Sequence, residues 1–407
     1  MIGLKDVVLS IQCILPESML RSACSTIFLF CSLTSIGTAC PFCGPVETPL
    51  SCRIAQSSDL AIGESLTEAI ANNQGQRRQI FSLLSKIVPT SSGRTAISVE
   101  PTTQPVEAGV QTSFSGTALL FNLPAVGWTA LAADEMLLGY ILQAPPFEQP
   151  DLKNKNRLEW FATWLDHPNP TISKDAYAEF ALAPFQEVRD SAHVFSAEVV
   201  IDHLSDQSIQ QQRRGFYGIV AGVLARQSPT DPQAACTNAL IRIITKQQPS
   251  DFQAGFDGIM AGLFLALGKQ ALPVLERTSL FEDEASPVNQ RHLLQALRFC
   301  WEYPSDTVPR KEVILITRKL LPVPHLTREV IVDLSRYQDW EFRKQVVATW
   351  DTLGAENPLV RPAIIGYLLA CPSEKSSFLL DQLRDKDIEL FDKVRRAAAI
   401  PFPAAAP

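Results

Sequence analysis

The sequence predicts an α+β chain, mostly α: a small β-barrel near the N-terminus, followed by helical pairs stacked in a row. Three observations predict it. Gly215-Phe216-Tyr217-Gly218-Ile219-Val220-Ala221-Gly222-Val223 recurs 40 residues later as Gly255-Phe256-Asp257-Gly258-Ile259-Met260-Ala261-Gly262-Leu263. A period near 40 in an apolar, helix-forming stretch belongs to stacked helical hairpins, each hiding its apolar face on the next. Residues 53–150 differ in texture, with Thr95 to Val99 and Val106 to Phe114 alternating like half-buried strands, and from residue 151 onward helical patterns are separated by prolines.

Residues 1–39 read as a targeting segment and stand outside the fold. Arg21 precedes an apolar run from Ala23 to Ile36, and Gly37-Thr38-Ala39 supplies the small residues a signal peptidase requires. Cleavage after Ala39 is expected, which makes the protein exported, periplasmic or associated with the cell envelope. A signal peptide beginning at Met19 has ordinary length and charge, so Met1 to Ser18 read as an over-extended gene start. A lipid on Cys40 and an uncleaved anchor are the alternatives, and only these attach the chain to a membrane. Gly37 stands where a bacterial lipobox usually carries Leu. No other apolar run is expected to approach the roughly 20 residues that cross a bilayer.

The chain has 407 residues, of which 46% are hydrophobic and 19% charged, as a full core requires. Its net charge of -7 forms no tail, and no basic stripe with interleaved aromatics appears. Nucleic acid is therefore not an expected partner.

Residues 40–150 form the first expected domain. Asp59 to Gly63, Thr95 to Val99, Val106 to Phe114 and Gly116 to Phe121 read as strands, and Gln79 to Val88 carries apolar residues without a helical stripe. Asp134 is placed to cap a helix running to Leu142, its carboxylate accepting from first-turn amides. Five or so strands and one helix predict a small, OB-like barrel. Pro145, Pro146 and Pro150 make a stiff linker. Residues 151–400 form the second domain, expected as five or six helical pairs. Leu158, Phe161, Ala162 and Leu165 share one face, Asp166 to Pro170 breaks the chain, and a second helix runs from Ser173 to Ala183. Helices are also expected at Asn289 to Tyr303, Val313 to Leu321, Phe342 to Trp350 and Ala363 to Ala370. Gly218 and Gly222, like Gly258 and Gly262, lie four apart, so each pair faces one side of its helix. A glycine inside a helix costs about 1 kcal/mol relative to Ala, and close packing between neighbouring hairpins is the expected reason for accepting it.

The segment Leu158 to Phe185, with Leu165-Asp166-His167-Pro168 and Lys174 to Ala181, resembles a group of uncharacterised exported proteins of planctomycete-type bacteria. The pairing of Cys40-Pro41-Phe42-Cys43 with Gly255 to Met260 resembles the same group. The helical part alone is similar to HEAT repeats, which are binding scaffolds. These resemblances imply export and architecture, with no activity attached.

Nine cysteines divide unevenly. Cys13, Cys24 and Cys31 fall in the targeting segment, and Cys236, Cys300 and Cys371 sit in apolar helical patterns as small buried residues. Cys40, Cys43 and Cys52 crowd the mature start, where one disulfide would leave one thiol over. Cys40-Pro41-Phe42-Cys43 is spelled like a glutaredoxin active site. That family sets it after a strand in a βαβ unit, however, whereas here a signal segment precedes it and Gly44-Pro45 and Pro49 follow. A structural disulfide or tether is the preferred reading. A cysteine-led barrel also resembles netrin-like metalloprotease-inhibitor modules, with Cys40 offering its amine to zinc, although such modules carry more disulfides.

His167, His193, His203, His292 and His325 show no metalloprotease spacing, and no phosphate loop, GxSxG elbow or EF-hand is present. No cofactor and no metal site are expected. Trp160 and Trp164, one turn apart, are the partner-binding candidates, with packing against the barrel as the competing reading. The expected function is that of an exported, non-enzymatic scaffold for another envelope or extracellular protein. The alternatives are thiol-disulfide chemistry at Cys40 and Cys43, or protease inhibition.

Overall fold

The computed structural model describes residues 47–72, 75–90, 93–98, 105–147, 157–206, 208–209, 211–227, 231–246, 255–282, 285–303 and 308–398. Residues 1–39, where a targeting segment is expected, Cys40, Cys43 and the end of the proline linker lie outside the described residues. Within them the protein is α+β and mostly helical.

The N-terminal part opens with helix α1 (Leu50–Gln56), which the sequence reading did not anticipate. The strands follow: β1 (Asp59–Ser65), β2 (Ile70–Ala71), β3 (Arg77–Thr90), β4 (Gly93–Ser98), β5 (Val106–Val110), β6 (Thr117–Leu123) and β7 (Gly127–Ala132). Five of them close a barrel in the order β1-β3-β5-β7-β6-β1, while β2 and β4 pair only with β3. All pairings are antiparallel except β5 with β7. The expected strand from Val106 to Phe114 ends at Val110. Gly63 sits where the β1–β3 register shifts, and a Cβ there would lie 2.8 Å from the Ser82 carbonyl oxygen. Only glycine lets the two strands approach at this bulge.

Alternation along the strands sorts the barrel's side chains into two cores. Ala118 and Leu120 of β6 join Ala61, Phe81 and Ala108 in a small cluster. Leu119 and Phe121 face the other way and merge with the helical core. Helix α2 (Glu135–Gln143) closes this part, and Asp134 caps it by accepting the Leu137 amide at 2.7 Å, as expected.

The helical part continues with α3 (Arg157–Ala162), α4 (Pro170–Leu182), α5 (Phe185–Ser191), α6 (Ala197–Ser205), α7 (Gln211–Gln227), α8 (Asp231–Thr245), α9 (Phe256–Leu267) and α10 (Ala271–Leu275). Then come α11 (Pro287–Glu302), α12 (Arg310–Lys319), α13 (Thr327–Arg336), α14 (Arg343–Ala348), α15 (Leu353–Glu356), α16 (Val360–Ala370), α17 (Ser373–Lys386) and α18 (Ile388–Ala398). Helix α4 starts earlier than expected because Pro170 occupies its first turn, where the missing amide is harmless, and Asn169 accepts the Thr171 amide at 2.9 Å. The expected helix from Phe342 to Trp350 is instead a 3₁₀ turn at Trp340–Phe342 running into the short α14, with Val346 and Trp350 buried.

The two copies of the repeat, α7 and α9, lie side by side. Their glycines meet in chain order, Gly215 beside Gly258 and Gly222 beside Gly262, so the helices run parallel. Helix α8 packs on both. Contacts then pass from α9 to α11, from α11 to α13 through Arg298 and Asp333, and from α13 through α16 to α18. On the other side, Phe180 of α4 meets Phe216 of α7 with ring centroids 5.2 Å apart. One continuous apolar core runs from Leu50 to Phe391. Phe256–Leu275 is long and apolar enough to cross a membrane by length and composition, a candidate the sequence reading passed over, and 67% of its apolar window is buried within the fold.

Candidate functional site

A group of interacting polar side chains forms where the barrel meets the helices. Asp175 and Glu179 stand one turn apart on α4, so they share a face, and both are buried. Three other segments converge on that face. From α1, the Leu50 amide donates to Asp175 Oδ1 at 2.6 Å, and the Ser51 hydroxyl donates to Glu179 Oε1. From α2, the Tyr140 hydroxyl donates to Asp175 Oδ2 at 2.7 Å. From α3, Arg157 forms an ion pair with Glu179 and donates to Ser51 Oγ at 2.9 Å.

This arrangement explains why α1 forms at all. Its N-cap position is Pro49, which offers no side-chain acceptor, so the free amides of its first turn need an acceptor from elsewhere. Asp175, 125 residues away in sequence, supplies it. Arg53, one turn on, lies 4.2 Å above the Phe121 ring and holds α1 to the barrel. Arg94 of β4 donates to the carbonyls of Ile141 and Ala144 at 3.0 and 2.9 Å, closing the C-terminal end of α2.

The charges divide unequally. Glu179 meets a guanidinium, whereas among the described residues Asp175 is bonded only by neutral donors. Burial pushes the carboxyl of Glu179 above its usual range against the pull of Arg157. Burial pushes Asp175 up to about 6, the two donors opposing the shift and the Glu179 charge adding to it. The Tyr140 hydroxyl is raised by burial and by the Asp175 charge, so it stays a donor across the physiological range.

Among the sequence-predicted site residues, Cys40 and Cys43 lie outside the described residues. Cys52 sits on α1, half-buried, with Gln56 Nε2 donating to its sulfur at 3.3 Å. Burial and the Glu179 charge raise its thiol, the opposite of what a nucleophilic cysteine needs. Trp160 of α3 and Trp164 just beyond it are half-buried, and each ring centroid stands 5.2 Å from that of Tyr140. They form an aromatic wall beside the Asp175 face, contacting the helix that closes the barrel.

The histidines scatter. His203 meets Asp166 at 3.1 Å and stacks on Tyr217 at 4.2 Å, His193 faces Glu159 at 3.5 Å, and His292 faces Asp257 at 3.5 Å. The described residues contain no group of three His, Cys, Asp or Glu side chains able to hold a metal ion. Sequence reasoning missed the Asp175–Glu179 face. The one signal available was two acids four apart inside an otherwise apolar helical stretch. Compared with known proteins, the chain matches no family model, no curated protein and no solved structure.

Proposed function

We propose that this protein is an exported, non-enzymatic scaffold whose helical stack binds another protein of the envelope or extracellular space. The observation that carries the reading is the parallel, glycine-to-glycine contact of α7 and α9, one hairpin apart. Equivalent helices of successive hairpins lying parallel is the packing of a HEAT-like α-solenoid, which builds an extended surface in place of an enclosed pocket. The alternate-helix contacts from α4 through α7, α9, α11, α13 and α16 to α18 support the same reading. The barrel is best read as OB-like. Its five closing strands, renumbered in chain order, pair 1-2-3-5-4-1, with the third and fifth parallel. Trp160 and Trp164 remain the partner-binding candidates, since they leave part of their rings at the surface beside the junction.

The test compares two outcomes with the mature protein. A partner identified by co-purification from the native envelope is purified and its affinity measured. The double variant Cys40→Ser/Cys43→Ser should bind it within about twofold of the unaltered chain, because a scaffold uses no thiol chemistry. Turnover of a dithiol substrate by the mature protein, lost in the double variant, would replace this reading with the redox one.

A further inference from the structure

We propose that Asp175 is a proton-operated catch on the segment Pro49–Gln56: neutral, it holds the first turn of α1 against α2 and α4, and ionised, it releases that turn.

The geometry supplies both halves of the device. Asp175 and Glu179 bring two carboxylates into one buried site where, among the described residues, the one guanidinium in contact is that of Arg157, and it is committed to Glu179. The charged groups facing the site from the other elements are Arg53 and Cys52 on α1, Tyr140 on α2 and Arg94 on β4, with Glu47 beside Arg53. None of the cations hydrogen-bonds Asp175: Arg53 is engaged with Phe121, and Arg94 with the end of α2. A charge on Asp175 is therefore desolvated and unpaired, a costly state for a buried carboxylate.

Protonation removes that charge without breaking the contacts. The neutral acid still accepts the Leu50 amide at Oδ1, and its hydroxyl donates to Tyr140, whose own proton turns away. The element at risk from ionisation is small. Helix α1 has seven residues and no side-chain cap of its own, so its opening is a local event that leaves the main core folded.

The sign follows from the direction of the shift. The closed state binds the proton more tightly than the open one, so closure is favoured below the ordinary carboxyl range and weakens as pH rises through about 6. The gap between 3.8 and about 6 caps the effect at about a hundredfold in the opening equilibrium.

Hydrogen–deuterium exchange on the full mature chain reads it directly, in peptides spanning residues 47–60, after correction for the intrinsic pH dependence of exchange. Between pH 5 and 7.5 the protection of α1 should fall by up to about tenfold, the part of that cap that remains above pH 5, while helices such as α9 hold theirs. Asp175→Asn, neutral at every pH and able to make both hydrogen bonds, should abolish the pH dependence. Tyr140→Phe removes a donor that favours the ionised form, so its midpoint should move to higher pH. Fluorescence of Trp160 and Trp164 reports whether either variant keeps the junction folded. A pH-independent unaltered chain, an undiminished slope in Asp175→Asn, or a midpoint unmoved in Tyr140→Phe would each overturn the proposal.

Discussion

A Cβ placed on Gly262 would lie 2.7 Å from the carbonyl carbon of Gly218, a separation that real Cβ atoms essentially never show. One turn earlier on the facing helix the same holds: a Cβ on Gly218 would lie 2.7 Å from the Gly258 carbonyl carbon. The two helices meet backbone to backbone, and the obstacle is main chain that cannot swing aside. Five glycines inside the two helices, Gly215, Gly218, Gly222, Gly258 and Gly262, cost about 1 kcal/mol each in propensity. The contact they permit brings Ile219, Val220, Ile259 and Leu263 to complete burial.

Gly262→Ala should therefore destabilise the protein despite its better helix propensity. Overpacking against rigid backbone costs about 1–3 kcal/mol and outweighs the roughly 1 kcal/mol gained. Denaturant unfolding of the variant should show a lower midpoint. A half-buried control, Gly139→Ala on α2, meets nothing within 4 Å and should be neutral or stabilising. A stabilised Gly262→Ala would show that the helices separate freely.

Arg318 of α12 grips Asp339 with two hydrogen bonds, 2.7 and 2.5 Å, while the Tyr367 hydroxyl donates to the Asp339 carbonyl. The Asp339 side chain is 4% exposed, so removing the guanidinium strands a buried charge. Arg318→Ala should cost about 3 kcal/mol or more, as breaking one side of a buried pair does. Asp339→Asn should cost less, because it leaves a neutral group and a quarter-exposed cation. Equal losses in thermal or denaturant unfolding would count against an unequal, one-sided burial of the pair.

What the sequence made legible was local or periodic. The duplicated glycine segment announced two equivalent helices, Asp134 announced a cap, alternation announced β4 and β5, and short apolar runs announced β1 and β6. Helix α1 was illegible because its seven residues carry no capping side chain, and its acceptor arrives from Asp175. The β5–β7 pairing that helps close the barrel is a non-local contact that no window of residues encodes. The junction site fails for the same reason. Asp175 and Glu179 look like solvated acids until Tyr140, Leu50, Ser51 and Arg157 are brought over them by folding. Packing against the barrel, which the reading weighed for Trp160 and Trp164, corresponds to their contacts with Tyr140.

The same junction sets a pH dependence of global stability. Asp175 is raised from 3.8 to about 6, so its contribution is fully present below about pH 4 and is lost as pH rises through about 6. The difference in unfolding free energy between pH 4 and 7.5 amounts to about 3 kcal/mol for this group. Other carboxyls titrate over the same range, so the measured quantity is the difference between the unaltered chain and Asp175→Asn. That difference should move in favour of the variant as pH rises. A difference independent of pH would mean that the carboxyl of Asp175 is solvated in the folded protein.

Thiol reactivity offers a test that needs no variant. Burial pushes the Cys300 thiol up to about 12, so at pH 8 only about one molecule in ten thousand carries the reactive thiolate there. Cys236 and Cys371 are also buried and raised, at 0% and 5% exposure. Cys52 is raised too, but it lies half-buried at the edge of the junction, where a reagent can reach it. With disulfides reduced and the fold intact, alkylation followed by peptide mapping should label Cys52 well ahead of the other three. All four should label together once denaturant is added. Early labelling of Cys300 in the native protein would mean that α11 opens locally, which the continuous packing of α9, α11 and α13 opposes. If Cys52 labels natively only after reduction, its sulfur is engaged in a bridge beyond the described residues. That outcome would leave a single thiol between Cys40 and Cys43, and a two-thiol redox centre needs both.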